Sequence, residues 1–131
     1  MKEKKGCRSI KVSCFSDIGM SQNFWIKAWF LVTLSKGKSY GYELINSTPK
    51  IIPEEKVQSS SIMGNYYRIL RALEMNGLVI SKWDTSGSGP ARRIYSITEK
   101  GKEELASIIE YIKQTKEFVD KFFNSIEKEV K

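Results

Sequence analysis

Histidine is absent from this chain, and cysteine occurs only twice, at Cys7 and Cys14. A zinc centre draws about four ligands from Cys, His and carboxylates, and a nucleophilic triad usually needs an imidazole. Neither chemistry has its parts here, so no metal, no other cofactor and no enzymatic activity is expected. Cys7 and Cys14 are close enough in sequence to pair, but two free thiols in a reducing compartment suit a chain with so few cysteines better. Long hydrophobic runs are missing too. Residues 24–34 form the most apolar stretch, interrupted by Lys27 and Thr33 and too short to span a bilayer. Lys2, Lys4 and Lys5 open the chain like a signal peptide, yet residues 6–20 lack a continuous apolar core. No membrane partner and a cytoplasmic location are therefore expected.

What remains is a basic chain of 131 residues, long enough for one modest core. Its net charge of +7 is unevenly spread. Residues 1–20 carry Lys2, Lys4, Lys5, Arg8 and Lys11 against Glu3 and Asp17. Residues 21–98 hold ten basic and five acidic side chains, whereas residues 99–131 hold seven and eight. The excess thus lies ahead of the last segment, a distribution that suits a polyanion such as nucleic acid. Residues 1–20 also have few periodic apolar positions and read as a flexible basic N-terminal arm.

Ser21, Gln22 and Asn23 offer capping groups for a helix over 24–35. Its Phe24, Trp25, Ile26, Ala28, Trp29, Phe30, Leu31, Val32 and Leu34 point in nearly every direction, so it needs cover on more than one side. In a domain this small, the second cover is expected from another subunit. Ser39 then caps a short helix over 40–46, and residues 47–58, with Pro49 and Pro53, form a connection. Ser59, Ser60 and Ser61 precede a third helix over 61–75, in which Ile62, Tyr66, Ile69, Leu70 and Leu73 face the core. Asn76-Gly77 stops it. Residues 78–83 and 92–97 are two short strands joined by a tip over 84–90. Thr98 caps a last helix reaching about residue 130, with Leu105, Ile108, Ile112, Thr115, Val119, Phe122 and Ile126 along an a/d seam.

These elements predict a mainly α fold with a small β-hairpin (α+β). The layout is a winged helix-turn-helix domain over 21–98 and a long C-terminal dimerisation helix over 99–131. A winged helix meets duplex DNA with its helix in the major groove and its hairpin along the backbone. Ser61, Asn65 and Arg68 share one flank of the third helix, with Ser60 and Arg71 beside them. Asn pairs with adenine, Arg with guanine O6 and N7, and Ser with a base or a phosphate. A merely solvated flank is the competing reading, and the basic hairpin that follows favours the functional one. Lys82, Arg92 and Arg93 flank the hairpin tip and are placed to neutralise phosphates. Gly87, Gly89 and Pro90 join strand to strand, which makes a flexible tip and not a phosphate-cradling loop.

Aromatics give the remaining expectations. Trp25 and Trp29, with Leu105, Ile108, Ile112, Val119, Phe122 and Ile126, are expected at a homodimer interface. Trp25, Trp29, Phe118 and Phe122 would line a pocket between subunits for a flat, small aromatic effector; ordinary core packing is the alternative. Glu99, Glu103, Glu104 and Glu110 form a solvated face with lysine partners and hold no acid–base pair.

Four stretches in fixed order carry a family likeness. Tyr40-Gly41-Tyr42-Glu43-Leu44 contains a Gly-Tyr-Glu-Leu second-helix motif. Gly64-Asn65-Tyr66-Tyr67, then Leu70, Leu73-Glu74 and Gly77-Leu78, is similar to a recognition helix usually built as Gly-Thr-Leu-Tyr, Leu, Leu-Glu and Gly-Leu. Gly89-Pro90 with Arg92-Arg93 and Tyr95 is similar to a wing, and Thr98-Glu99-Lys100-Gly101 to the start of a dimerisation helix. Over about residues 24–130 the chain resembles the PadR family of winged-helix transcriptional regulators. The resemblance implies a homodimer whose C-terminal helices interlock with the partner's first helix, and transcription control, commonly repression relieved by a small effector. It also implies a phosphate contact for Tyr67. Asn65-Tyr66 stands where the family has Thr-Leu, a departure that bears on base preference or helix tilt. The expected function is a dimeric, sequence-specific regulator bound to double-stranded DNA. The alternative is a protein-interaction module that keeps the winged-helix shape without specific DNA binding.

Overall fold

The computed structural model describes residues 20–52 and 59–130, the side chains of residues 59–62 excepted. In chain order the elements are α1 (Gln22–Ser35), β1 (Ser39–Tyr40), α2 (Gly41–Asn46), α3 (Ser59–Met75), β2 (Val79–Asp84), β3 (Arg92–Ile97) and α4 (Glu99–Val130). Ser21 starts α1 by accepting the Phe24 N–H on its Oγ at 3.3 Å. Asn76-Gly77 ends α3 as expected. Gly77 takes φ +77°, the Leu78 N–H reaches the Leu73 carbonyl at 3.0 Å and the Gly77 N–H reaches that of Glu74 at 3.0 Å. That is the paired closure of a Schellman turn, which favours glycine because no Cβ opposes the left-handed backbone.

The expected hairpin is the larger part of a three-stranded antiparallel sheet ordered β1-β3-β2. Ser39 and Tyr40, read from sequence as a helix cap and first helical residue, instead pair with Tyr95 and Ile94. Tyr40 is extended (φ −75°, ψ 154°), and α2 begins one residue later, with the Glu43 carboxylate accepting the Tyr40 N–H at 3.1 Å. A strand of two residues has no periodicity to detect; its partner lies more than fifty positions away.

Phe30, Ile26 and Leu31 of α1, Leu44 of α2, Leu70 of α3 and Val79 of β2 are the largest fully buried side chains. Around them α1 packs against α3, α4 and β3. Met20 is 2% exposed, so the folded domain claims the last residue assigned to the basic arm. Residues 1–19, with Cys7 and Cys14, lie outside the described residues.

The start of α4 is fixed by Thr98. Its Oγ1 lies 2.7 Å from the Gly77 carbonyl and accepts the Gly101 N–H at 3.0 Å, while its own N–H donates to the Leu78 carbonyl at 3.0 Å. Lys27 of α1 pairs with Glu104 at 2.9 Å. Leu105 and Ile108, expected at a subunit interface, are instead buried in the chain's own core, with Ile112 partly buried against it. The physical reason is geometric. The first turns of α4 cover α1 and β3 before the helix, about 48 Å long at 1.5 Å per residue, outruns the domain. Beyond that point Phe118, Val119, Phe122, Phe123, Ile126 and Val130 are all exposed. Among the described residues no helix is long and apolar enough to cross a membrane.

Candidate nucleic-acid interface

The core set of α3 decides what the helix leaves outside. Tyr66, Ile69, Leu70 and Leu73 are buried, and Gly64, Tyr67, Arg68, Arg71, Ala72 and Met75 are exposed. Asn65 sits at the border, half-buried. Its Nδ2 donates to Asn23 Oδ1 at the start of α1 at 3.1 Å, and its Oδ1 faces Arg68 Nη1 at 3.4 Å. The open face is therefore centred on Arg68 and Arg71 rather than on Asn65, with Tyr67 along its edge. The side chains of Ser60 and Ser61 lie outside the described residues.

The wing separates the three cations expected to act together. Ladder pairs Ser81↔Tyr95 and Trp83↔Arg93 fall on one sheet face, and Lys82↔Ile94 and Asp84↔Arg92 on the other, because side chains alternate along a strand. Arg93 shares its face with Ser81 and Trp83. Its Nε donates to Ser81 Oγ at 3.0 Å, and its guanidinium lies 4.8 Å from the Trp83 ring centroid. Ser81 Oγ in turn donates to Glu74 Oε2 of α3 at 2.8 Å, tying recognition helix to wing.

Arg92 is on the opposite face and is committed to the wing root. Its guanidinium stands 4.5 Å over the Tyr40 ring, and Nη1 donates to the Tyr42 hydroxyl at 3.2 Å. Tyr40 and Tyr42 stack at 5.8 Å, and the Tyr40 hydroxyl donates to Asp84 Oδ2. Ser86 supplies Asp84 Oδ1 with its N–H at 3.0 Å and its hydroxyl at 2.6 Å. These donors hold the Asp84 carboxyl down at about 2, the Ser86 hydroxyl first and the Tyr40 hydroxyl second. The same hydrogen bond raises Tyr40. Neither Asp84 nor Tyr40 is among the contact residues expected from the sequence. Arg92 thus stiffens the wing although its side chain, like that of Lys82, is exposed.

Between α3 and the sheet lies a cleft of about 230 Å³ lined by Tyr67, Arg71, Glu74, Arg93 and Tyr95. Gly41 makes room for it: a Cβ there would stand 3.3 Å from the Tyr95 ring and 3.4 Å from that of Tyr67. Tyr95 is buried, and burial raises its phenol above the ordinary value. Three predicted contacts, Tyr67, Arg71 and Arg93, therefore meet at one place.

The family model of PadR-like transcriptional regulators matches residues 30–107. The chain belongs to the PadR-like family. A conserved protein of unknown function, regarded as a potential transcriptional factor, is 30% identical, with 82% of this chain and 91% of that one covered and a TM-score of 0.66. A PadR family transcription regulator from Clostridium difficile is 26% identical over 78% of this chain and 97% of its own, at a TM-score of 0.55. The Bacillus subtilis PadR in complex with operator DNA shares the fold at 21% identity and a TM-score of 0.52, over 63% of this chain and 45% of its own. No curated protein matches the chain in sequence.

Within this PadR-like chain every position of Tyr40-Gly41-Tyr42-Glu43-Leu44 has a task. Tyr40 and Tyr42 brace the wing, Gly41 admits the cleft rings, Glu43 caps α2 and Leu44 is wholly buried. Tyr66, at the family's Leu position, fills the core edge-on against Phe30 at 6.3 Å. The aromatics expected to form an effector pocket sit on two elements. Trp29 of α1 donates its indole N–H to Ser47 Oγ at 3.1 Å and Trp25 packs edge-on against Phe24 at 5.1 Å, while Phe118 stacks on Phe122 of α4 at 5.9 Å.

Proposed function

We propose that the protein is a dimeric, sequence-specific DNA-binding transcriptional regulator that represses by occupying its site. One juxtaposition carries the reading: Arg68 and Arg71 on the open face of α3, with Arg93 of the wing meeting Arg71 at a shared cleft. Guanidiniums on a helix face read guanine edges, and those beside it neutralise phosphates whatever the sequence. The operator complex of the Bacillus subtilis PadR shows that one protein of this fold binds DNA.

The second copy is argued from α4. Its exposed half carries Phe118, Val119, Phe122, Phe123 and Ile126, an apolar seam that a second α4 and the half-buried Trp25 and Trp29 of α1 would cover. Two recognition helices would then lie about 34 Å apart and read a near-palindromic site. A flat apolar effector entering between the α1 tryptophans and the partner's seam would relieve repression by shifting that spacing.

Selection of genomic fragments bound by the full chain tests the proposal. The expected result is a recurrent inverted repeat bound at least about a thousandfold more tightly than random duplex at physiological salt. Equal affinity for selected and random DNA, or none at low salt, rejects it.

A further inference from the structure

The hydrogen-bonded chain from α1 to α3 does more than draw Asn65 to the border of its helix. An asparagine amide has a donor end and an acceptor end, and here each end has its own partner. Asn65 Nδ2 donates to Asn23 Oδ1 at 3.1 Å, which leaves Asn65 Oδ1 facing Arg68 Nη1 at 3.4 Å. A flipped Asn65 would turn N–H groups towards a guanidinium that can only donate. Asn23 Oδ1 therefore sets the sense of the Asn65 amide. Asn65 and Arg68 are three residues apart, neighbours on one helix face. Their contact occupies Nη1 and leaves Nε and Nη2, a two-donor edge of the kind that pairs with guanine O6 and N7.

Asn23 is itself firmly held. Ser21 caps its turn, and Phe24 beside it packs edge-on against Tyr111 of α4 at 5.9 Å. Arg68, by contrast, is exposed and has the rotamer freedom of a long side chain. A tether on Nη1 removes unproductive orientations before any base is met, which lowers the cost of binding. We infer that Asn23 is a specificity-determining positioning residue: acting through the Asn65 amide, it holds the Arg68 guanidinium edge-out for one guanine. The inference rests on the regulator function proposed above and deepens it. Asn65 then serves Arg68 and not an adenine.

Two measurements on the full chain test the relay. The first needs no DNA: the Arg68 Nε and Asn65 side-chain amide resonances are compared between wild type and Asn23→Ala at matched urea midpoints. Both should move. An Arg68 resonance that stays put overturns the relay, whatever the DNA result. The second is competition of the preferred duplex against duplexes changed one base pair at a time. Asn23→Ala should cut discrimination about fivefold, the worth of one hydrogen bond, at the base pair that Arg68→Ala also stops reading. Affinity for random duplex should not change. Asn23→Asp keeps an acceptor for Asn65 Nδ2 and should retain the preference. Added to Arg68→Ala, Asn23→Ala should have no further effect. Undiminished discrimination in Asn23→Ala, equal loss in Asn23→Asp, or a loss that persists in the Arg68→Ala background each overturns the positioning role. Moved resonances in a protein that prefers no duplex overturn the regulator function while the tether stands.

Discussion

Gly101 lies so close to Leu78 that a Cβ on it would stand 2.1 Å from the Leu78 carbonyl oxygen, with Ile97 Cγ1 at 2.7 Å. That oxygen accepts the Thr98 N–H, so the strand end and the first turn of α4 are locked together by backbone. A side chain cannot move backbone aside without breaking the lock. Gly101→Ala should therefore cost more than about 2 kcal/mol in urea denaturation. Gly89→Ala, with nothing within 4 Å of the added carbon, should stay within about 0.5 kcal/mol. Equal midpoints for the two variants would show that α4 leaves the sheet differently.

The capping hydroxyl beside that contact gives a milder effect. Thr98 Oγ1 accepts the Gly101 N–H, and Thr98→Val keeps the shape while removing the acceptor. A loss of about 1 kcal/mol is expected from thermal or urea melts, the usual size for an N-cap.

Base reading and backbone binding should separate by residue. Arg68→Ala, on the open face of α3, should cost ~1–3 kcal/mol at one base step and little on random duplex. Arg93→Ala should weaken every sequence alike and flatten the salt dependence by about one unit of slope. Arg92→Ala should act chiefly on the wing, since its guanidinium is engaged by Tyr40 and Tyr42. Competition titrations at several salt concentrations check all three, and identical losses for all three contradict the assignment.

Asp84 makes wing stability depend on acid. Its carboxyl is lowered from 3.8 to about 2 in the fold, so the charged form is favoured by folding. The contribution is fully present above the unfolded value and is lost as pH falls through the folded one. The stability gap between wild type and Asp84→Asn should be constant from neutrality to about pH 4 and shrink between there and pH 2. Tyr40 behaves in the opposite sense: its raised phenol supports the fold below pH 10 and ceases to as pH climbs past its folded value. Urea melts over both limbs read the two effects.

Much of this was legible in the residues because the signals are local. Ser21, Thr98 and Asn76-Gly77 mark element ends by short-range hydrogen bonding, and the 3.6-residue spacing of Tyr66, Ile69, Leu70 and Leu73 fixes the inner face of α3. Tyr67, Arg71 and Arg93 were named from sequence, but their meeting in one cleft depends on the sheet. The rest arises from contacts distant in sequence. Tyr40 pairs with Ile94 and binds Asp84, Asn65 is drawn to the border of α3 by Asn23, and Arg92 is parted from Arg93 by strand alternation. The α4 seam misled for a different reason: a/d spacing shows that a stripe is covered, not by which molecule, so Leu105 and Ile108 carried the same signal as Phe122.

That division of the seam yields a sharp test of dimerisation. Leu105 is core and Phe122 is 56% exposed in one protomer, though both occupy the same stripe. Leu105→Ala should destabilise the protomer by about 2–5 kcal/mol through the cavity it leaves. Phe122→Asp should leave a lone protomer folded and place a charge in the covering surface, where pairing becomes unfavourable. Sedimentation should then give twice 15.1 kDa for wild type and 15.1 kDa for Phe122→Asp. Wild-type melting should shift upward with protein concentration, as mass action requires of a dimer, and the variant's should not. A wild-type protein that sediments as a single chain, with melting independent of concentration, would remove the second copy from the proposed function while leaving Arg68, Arg71 and Arg93 to be tested on half-sites.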